Sequence, residues 1–170
     1  MNILICGDVV GRTGREIILK KLPLIILEEK IEFVIVNGEN AAGGFGITKK
    51  ICNAFYDVGV DVITTGNHVW DQNDILETLN NDPRILRPNN YPKNCPGKGI
   101  GTYKLANGSN IVVINIMCRL FMENIDDPFS ILEQTLNRIK DKKEHIIIVD
   151  VHGEATSEKM AIGHFLDGRV

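Results

Sequence analysis

Short apolar runs rich in β-branched residues recur along the chain and alternate with longer amphipathic stretches. Runs of this kind are typical of buried strands, and the amphipathic stretches have the apolar spacing of helices. The strands are predicted at 2–6, 33–36, 62–65 and 145–151, and the helices at 14–29, 48–58, 73–80, 128–142 and 158–166. This alternation predicts an α/β fold with a mainly parallel sheet covered by helices.

Local signals refine these elements. Thr48 is a good N-cap for the second helix, and Pro23 should kink or break the first. Asn107-Gly108 separates two apolar runs and is the strongest hairpin signal in the chain. The turn-rich segment 87–99 is predicted to be an irregular surface loop.

Polar side chains follow four of the predicted strands. They are Asp8 after the first strand, Glu39 and Asn40 after the second, Asn67 and His68 after the third, and Asp150, His152 and Glu154 at the end of the strand that begins at 145. Each cluster alone has an ordinary structural reading as a helix cap, a turn or a satisfied histidine. However, the carboxyl ends of parallel strands share one edge of a sheet, where α/β proteins bind ligands. Four such clusters together indicate a metal site.

The donor types narrow the choice of metal. Carboxylate and amide oxygens with imidazole nitrogen, and no thiolate, suit manganese or iron, with zinc as an alternative. The two oxygens of Glu39 would allow it to bridge two ions. A pair of ions ~3.5–4 Å apart is a common device for phosphoester hydrolysis.

Composition and charge exclude several other classes. A chain of 170 residues with 44% hydrophobic residues is most simply one globular domain, spanning 1–170. The net charge of -3 gives no basic footprint for a long nucleic-acid groove, although a small phosphorylated ligand fits. No apolar run approaches the ~20 residues of a membrane span. Four scattered cysteines and an N-terminus without a secretory signal predict a cytoplasmic protein with reduced thiols.

Other motif-based functions do not fit the spacing of the glycines. The stretch GDVVGRTGR has neither the GxxxxGK[ST] pattern of a P-loop nor the GxGxxG pattern of a dinucleotide site. AAGGFG also follows a strand with the wrong spacing, and no serine lies in a GxSxG nucleophile elbow.

A set of motifs in a fixed order resembles one known family. The motifs are GDVVGRTGR, VNGENAAGGFGIT, TTGNHVWD, LRPNNYP, PGKGIGTY, DDPF, DVHGEATSEK and DGR. In this combination the chain resembles the YmdB-like metallophosphoesterases, which are bacterial enzymes related to calcineurin-type phosphoesterases and act on 2',3'-cyclic nucleotides. The resemblance covers essentially the whole chain.

The resemblance implies a fold, a cofactor and residue roles. The fold would be an α/β metallophosphoesterase-like sandwich of β-sheets flanked by helices, with two divalent ions. Iron or manganese is expected, with zinc or magnesium as second choices. His68 would be the catalytic acid that protonates the leaving oxygen. The metal ligands would be Asp8, Glu39 as the bridge, Asn40, Asn67 and His152.

Three further side chains near these motifs have structural interpretations. Trp70 is expected to pack against the next helix, and Asp71 to cap that helix. Arg119 follows the hairpin and is expected to be a solvated surface residue, with substrate phosphate as the alternative contact.

The family pattern departs from this sequence at the C-terminal side. Relatives continue past DGR into a strand and a Gly-Thr-His-Thr-His loop whose histidines complete the metal site, whereas this sequence ends at DGRV. We therefore expect a sandwich truncated at the C-terminal side, with an unpaired sheet edge that favours pairing with another chain. His145, at the opposite end of its strand, and His164, on the last helix, are poor replacements.

Three functional hypotheses remain. The first is a metal-dependent phosphoesterase that hydrolyses a small phosphodiester, 2',3'-cyclic nucleotides above all, and is completed by a C-terminal polypeptide. The second is a catalytically silent relative that acts as a binding or oligomerising module. The third is an active enzyme whose open metal positions are filled by water or, in a homo-oligomer, by a side chain of a neighbouring subunit.

Overall fold

Residues 1–139 and 145–170 are described by the structure, a computed structural model. The strands are β1 (Ile3–Cys6), β2 (Phe33–Asn37), β3 (Val62–Thr64), β4 (Ile85–Leu86), β5 (Ile100–Lys104), β6 (Asn110–Met117) and β7 (His145–His152). The helices are α1 (Gly11–Glu28), α2 (Lys49–Asp57), α3 (Ile75–Asn81), α4 (Pro128–Arg138) and α5 (Thr156–Leu166).

The strands form two sheets. The first has the order β1-β2-β3-β4 and is parallel throughout, and the second has the order β5-β6-β7. In the second sheet β6 pairs antiparallel with β5 and parallel with β7. A buried cluster lies between the sheets, with Phe33 and Ile35 from one and Ile111 and Val113 from the other. The α/β sandwich of β-sheets implied by the family resemblance is confirmed, whereas the alternation of strands and helices alone predicts one mainly parallel sheet.

Helices cover the outer faces of both sheets. Alternate residues of β2 point outward, so Val34 and Val36 pack beneath the first three helices with Phe55 of α2. On the other sheet, Leu132 of α4 and Ile162 of α5 cover the outer face. Because β2 is buried on both faces, its sequence is apolar at every position before Asn37, as parallel strands usually are.

Two local predictions are confirmed. The Thr48 side chain accepts a hydrogen bond from the backbone N–H of Ile51 at 3.3 Å and caps α2. The Asn107-Gly108 turn joins the antiparallel strands β5 and β6, and Gly108 has φ +88°.

Several boundaries differ from the sequence-based expectation. Helix α1 begins at Gly11 and continues through Pro23 without a break. A single proline removes one helical hydrogen bond, which packing of the rest of the helix can outweigh. Helix α4 ends at Arg138, and the remainder of the predicted helix, 140–142, lies outside the described residues.

The segment after the third helix is more ordered than expected. The two-residue strand β4 was not predicted, because so short a run has no periodic signal. The predicted surface loop 87–99 begins inside the protein: Arg87 is 5% and Asn90 0% exposed. The Asn90 side chain donates hydrogen bonds to two backbone carbonyls, at 2.8 and 3.0 Å, which explains how a polar loop is buried.

The described residues contain no helix that is long and apolar enough to cross a membrane.

Strands β1 and β7 are the outer strands of their sheets. Ile3 packs against the cluster between the sheets, and Ile5, two residues later on the same face of β1, is nevertheless 57% exposed. Helix α1 beside it also exposes apolar side chains, with Ile17 at 58% and Leu27 at 78%. The sandwich is therefore open along β1.

Candidate functional site

The predicted site residues meet at one edge of the sandwich. The connections that leave β1, β2 and β3 provide Asp8, Glu39 with Asn40, and Asn67. His152 is the last residue of β7 and reaches the same edge from the second sheet. This placement follows from the parallel topology, because the carboxyl ends of β1, β2 and β3 point the same way.

These five side chains form one continuous polar network. The Nε2 atom of His152 lies 3.1 Å from Asn67 Oδ1 and 3.2 Å from Glu39 Oε1. The Asn40 amide donates to Glu39 Oε1 at 3.1 Å and to Asp8 Oδ2 at 2.8 Å. Asp8 is thus joined to the centre through Asn40, and Glu39 lies in the middle of the set.

Gly66 makes room for this arrangement. A Cβ atom at this position would lie 1.8 Å from Glu39 Oε2 and 2.6 Å from His152 Nε2. Any side chain would displace both groups, so the glycine in TTGNH is required by the close approach of the carboxylate and the imidazole to the backbone.

Glu39 is a buried carboxyl that lies close to a second carboxylate, Asp8. The residue is 3% exposed, and burial together with repulsion from Asp8 raises the pKa of its carboxyl to about 7. His68 and the Asn40 hydrogen bond act in the opposite direction and do not compensate. A cation beside Glu39 would reverse the balance, since an opposite charge favours the ionised carboxylate.

The imidazole of His152 is kept neutral. Burial is the main cause of a pKa below the ordinary value, and it outweighs the carboxylates of Asp150 and Asp8, which act to raise the pKa. A neutral ring has a free nitrogen lone pair, which is the form of histidine that binds metals.

The donor set fits a divalent cation. Glu39 Oε2 is buried without a hydrogen-bond partner among the described residues, so one carboxylate oxygen is available at the centre. Exchange of the nitrogen and oxygen atoms of the Asn40 amide, which have nearly the same shape, would add a second amide oxygen beside that of Asn67. Over residues 1–139 and 145–170, no three His, Cys, Asp or Glu side chains converge as a ready-made ion site. Two of the five candidate ligands, Asn40 and Asn67, are amides and so are not among these four residue types.

His68 forms a pair with Asp71. Its Nδ1 atom lies 2.7 Å from Asp71 Oδ2, and the imidazole side chain is 28% exposed. The expectation that Asp71 caps the third helix is wrong, because α3 begins at Ile75 with Asp74 in the N-cap position. The carboxylate instead orients the imidazole, which leaves Nε2 free to face a ligand.

The neighbouring residues have structural surroundings. Trp70 packs against the core cluster that includes Ile75 of α3, and its ring also meets Tyr91 edge to face at 4.6 Å. Arg119 is exposed, as expected for a surface residue. Its backbone N–H donates to the Glu158 carboxylate at 2.9 Å.

The other two histidines of the described chain lie elsewhere. His145 begins β7 and is therefore at the end of the strand opposite His152. His164 is exposed on α5. Neither is placed to replace an imidazole at the network, as the sequence predicted.

Sequence reasoning missed three contributors to this region. The role of Asp71 has a signal in the i, i+3 spacing from His68, which brings the two side chains together in a single turn. Gly66 has no signal beyond its position between a strand and Asn67. Phe45, whose ring centroid is 5.1 Å from that of His68, is marked by the three glycines around it.

Several known proteins are similar to this chain in sequence and fold. A family described as YmdB-like protein matches residues 4–170. The 2',3'-cyclic-nucleotide 2'-phosphodiesterase of Bacillus subtilis (strain 168) is 44% identical over 169 residues, which are 99% of this chain and 63% of that protein. The chain therefore spans less than two thirds of the length of this relative.

Two crystal structures have the same fold. A hypothetical protein from Thermus thermophilus has a TM-score of 0.92 and 38% identity, and the match covers 100% of this chain and 65% of that one. A protein described as a novel phosphatase, from Mycoplasma pneumoniae, has a TM-score of 0.87 and 32% identity over 98% of this chain and 60% of its own. The chain belongs to the YmdB-like protein family.

Proposed function

We propose that this chain is the metal-binding and proton-donating part of a phosphoesterase that hydrolyses 2',3'-cyclic nucleotides. The observation that carries the proposal is the network centred on Glu39, with His68 and its partner Asp71 beside it. Carboxylate, amide and imidazole donors converge there at the carboxyl ends of parallel strands. Residues 1–170 would act as one domain.

The relatives support this choice of reaction. The Bacillus subtilis protein is named for action on 2',3'-cyclic nucleotides, and the Mycoplasma pneumoniae structure is described as a phosphatase. Both are longer than this chain, so the activity is proposed for this chain and not transferred to it.

Two divalent ions, iron or manganese, would be held by the network. The ligands would be Asp8, Glu39 as the bridge, Asn40, Asn67 and His152. Bound ions would neutralise phosphate charge and lower the pKa of the attacking water. A bound cation would offset the burial and the repulsion from Asp8 that raise the pKa of Glu39, and it would bind the free lone pair of the neutral His152 ring.

His68 would supply the proton for the leaving oxygen. Asp71 would accept the Nδ1 hydrogen at 2.7 Å and hold the ring, and in the protonated, imidazolium form Nε2 would carry the second, transferable proton. As the bond between phosphorus and the leaving oxygen breaks, that proton would pass from Nε2 to the oxygen. The 28% exposure of His68 leaves the group accessible to a small substrate.

A further polypeptide would complete the sandwich beside β1. Ile5 on the inner face and Leu27 on α1 are exposed apolar residues along this open side. The relatives are longer by more than a third of their length, which is enough chain to cover it. Such a segment, on the same chain or another, would lie beside Asp8 and could add ligands; pairing of two copies is the alternative.

A catalytically silent binding or oligomerising module is the second candidate. One observation favours it: among the described residues only one imidazole, that of His152, belongs to the ligand network. An ion held by few strong ligands binds weakly, and the exposed side along β1 would then be the functional surface.

Hydrolysis of 2',3'-cyclic AMP in the presence of Mn²⁺ separates the two candidates. The phosphoesterase proposal predicts turnover by the wild-type chain, alone or mixed with the C-terminal third of the Bacillus subtilis relative. His68→Ala should reduce turnover by about 10²- to 10⁴-fold with unchanged metal content. Glu39→Ala should lose both metal and turnover. A well-folded mixture that binds Mn²⁺ without hydrolysing the diester would favour the silent module.

A further inference from the structure

The loop after β2 exposes a large aromatic side chain beside the site. Phe45 is 59% exposed, and it lies in the sequence Gly43-Gly44-Phe45-Gly46. A single exposed apolar side chain is ordinary on a protein surface, and Phe45 is distinguished by its position beside His68.

The loop that presents Phe45 is held by hydrogen bonds within the loop and by one from Gln72. The N–H of Ala42 donates to the carbonyl of Gly46 at 2.8 Å, and the N–H of Gly44 donates to the carbonyl of Asn40 at 3.0 Å. The Gln72 side chain donates to the carbonyl of Phe45 at 2.7 Å. The backbone that carries the aromatic ring is therefore held by three hydrogen bonds.

Three glycines make this conformation accessible. The backbone φ angles of Gly43, Gly44 and Gly46 are +76°, +101° and +75°, values that residues with a side chain rarely adopt. A Cβ atom at Gly46 would also lie 2.9 Å from the carbonyl oxygen of His68. The chain thus uses three left-handed residues to turn one phenylalanine outward next to His68.

The ring is positioned against the proposed proton donor. Its centroid is 5.1 Å from that of the His68 imidazole, and the two planes are at 85°. His68 follows Asn67, a member of the ligand network. A substrate with its phosphate at the network would extend past His68 towards Phe45.

We propose that Phe45 is the stacking surface for the nucleobase of the substrate. This inference rests on the proposed phosphodiesterase function and adds to it the residue that would bind the nucleobase of the substrate. Stacking on a phenyl ring needs an aromatic base but tolerates its identity, because every base has a π-face. The site would therefore accept both purines and pyrimidines, and would discriminate against a sugar phosphate without a base.

Base stacking predicts a defined preference. Removal of one aromatic stacking partner weakens binding of a base by roughly 5- to 150-fold. The wild-type chain should therefore bind 2',3'-cyclic AMP by roughly that factor more tightly than ribose 2',3'-cyclic phosphate. Phe45→Leu, which keeps an apolar side chain without a ring, should remove the preference and leave binding of the base-free ligand unchanged. Phe45→Tyr should retain the preference.

Calorimetric titration of the full chain with both ligands and Mn²⁺ tests the inference, with KM replacing Kd where turnover occurs. Met160→Ala is the control, because Met160 is an apolar residue on α5 with the same 59% exposure as Phe45. A preference that survives in Phe45→Leu would overturn stacking and leave the phosphodiesterase proposal intact. Equal weakening of both ligands would also overturn it, since Phe45 would then act through His68. Absence of binding of both ligands by the wild type, alone and mixed with the C-terminal third of the Bacillus subtilis relative, would overturn both proposals.

Discussion

Substitution Gly66→Ala introduces a single methyl group into the centre of the site. The new Cβ would lie 1.8 Å from Glu39 Oε2 and 2.5 Å from His152 Cδ2, although Cβ atoms do not approach other heavy atoms closer than about 3.0 Å. The carboxylate must therefore withdraw by more than about 1 Å. Its contacts with Asn40, at 3.1 Å, and with His152, at 3.2 Å, would then be lost together.

The expected loss of stability follows from two opposing effects. Overpacking of a tight interior costs about 1–3 kcal/mol. Replacement of a glycine whose φ is not positive returns about 0.4–1 kcal/mol through the unfolded state. The net loss should be about 1–2 kcal/mol, which lowers the Tm of a chain of this size by roughly 2–8 °C. Metal content should fall with it, because Glu39 and His152 are both displaced.

Gly7→Ala is the matched control for this experiment. Gly7 also lies between a strand and a proposed ligand, Asp8, but a Cβ there would meet only the Cβ of Asn37, at 3.8 Å. Thermal unfolding followed by circular dichroism, with metal measured on the same samples, should separate the two variants. A Gly66→Ala chain with the Tm and metal content of the Gly7→Ala chain would refute the packing argument.

Three other predictions address charge, orientation and association. The pKa of Glu39 is about 7 in the folded chain and 4.5 in the unfolded chain, so without metal the free energy of unfolding falls by about 3 kcal/mol as pH rises through this window. Denaturant titrations from pH 4 to 8 should show this fall in the wild type, but not in Glu39→Gln or with saturating Mn²⁺. The pKa of His152 is lowered, so His152 contributes with the opposite sign and reduces the net fall in the wild type. Asp71→Asn should reduce kcat roughly 10-fold with unchanged metal content, because the amide holds His68 less well; an unchanged kcat would exclude the orienting role. Ile5→Lys should shift sedimentation towards monomer, since Ile5 is exposed at the open side of the sandwich, and identical sedimentation of both proteins would contradict association there.

The sequence predicted the parts of the fold that have a periodic or chemical signal. The strand that ends at Asn37 is visible in the sequence because buried parallel strands are apolar at successive positions. Strand β4 has two residues, and no pattern can be read from so short a run. Periodicity also does not predict the division into two sheets, because it indicates that a strand is buried and does not identify its partners. Only the family resemblance implied a sandwich of sheets.

The site was predicted as a set of residues but not as a geometry. The polar side chains after successive strands brought Glu39 and Asn67 to one edge by topology alone. The predicted capping role of Asp71 is wrong, since the helix starts at Ile75 and the Asp71 carboxylate pairs with His68. A capping aspartate and an orienting aspartate have the same sequence signature, and only the position of the helix separates them.

Metal content per chain is the most direct test of the central claim. The wild-type protein, dialysed against Mn²⁺ or Fe²⁺ and then against metal-free buffer, should retain close to two ions per chain by elemental analysis. Glu39→Ala should retain close to none, because the carboxylate is the member that joins the network. Equal and negligible metal in both proteins, alone and mixed with the complementing polypeptide, would contradict the account.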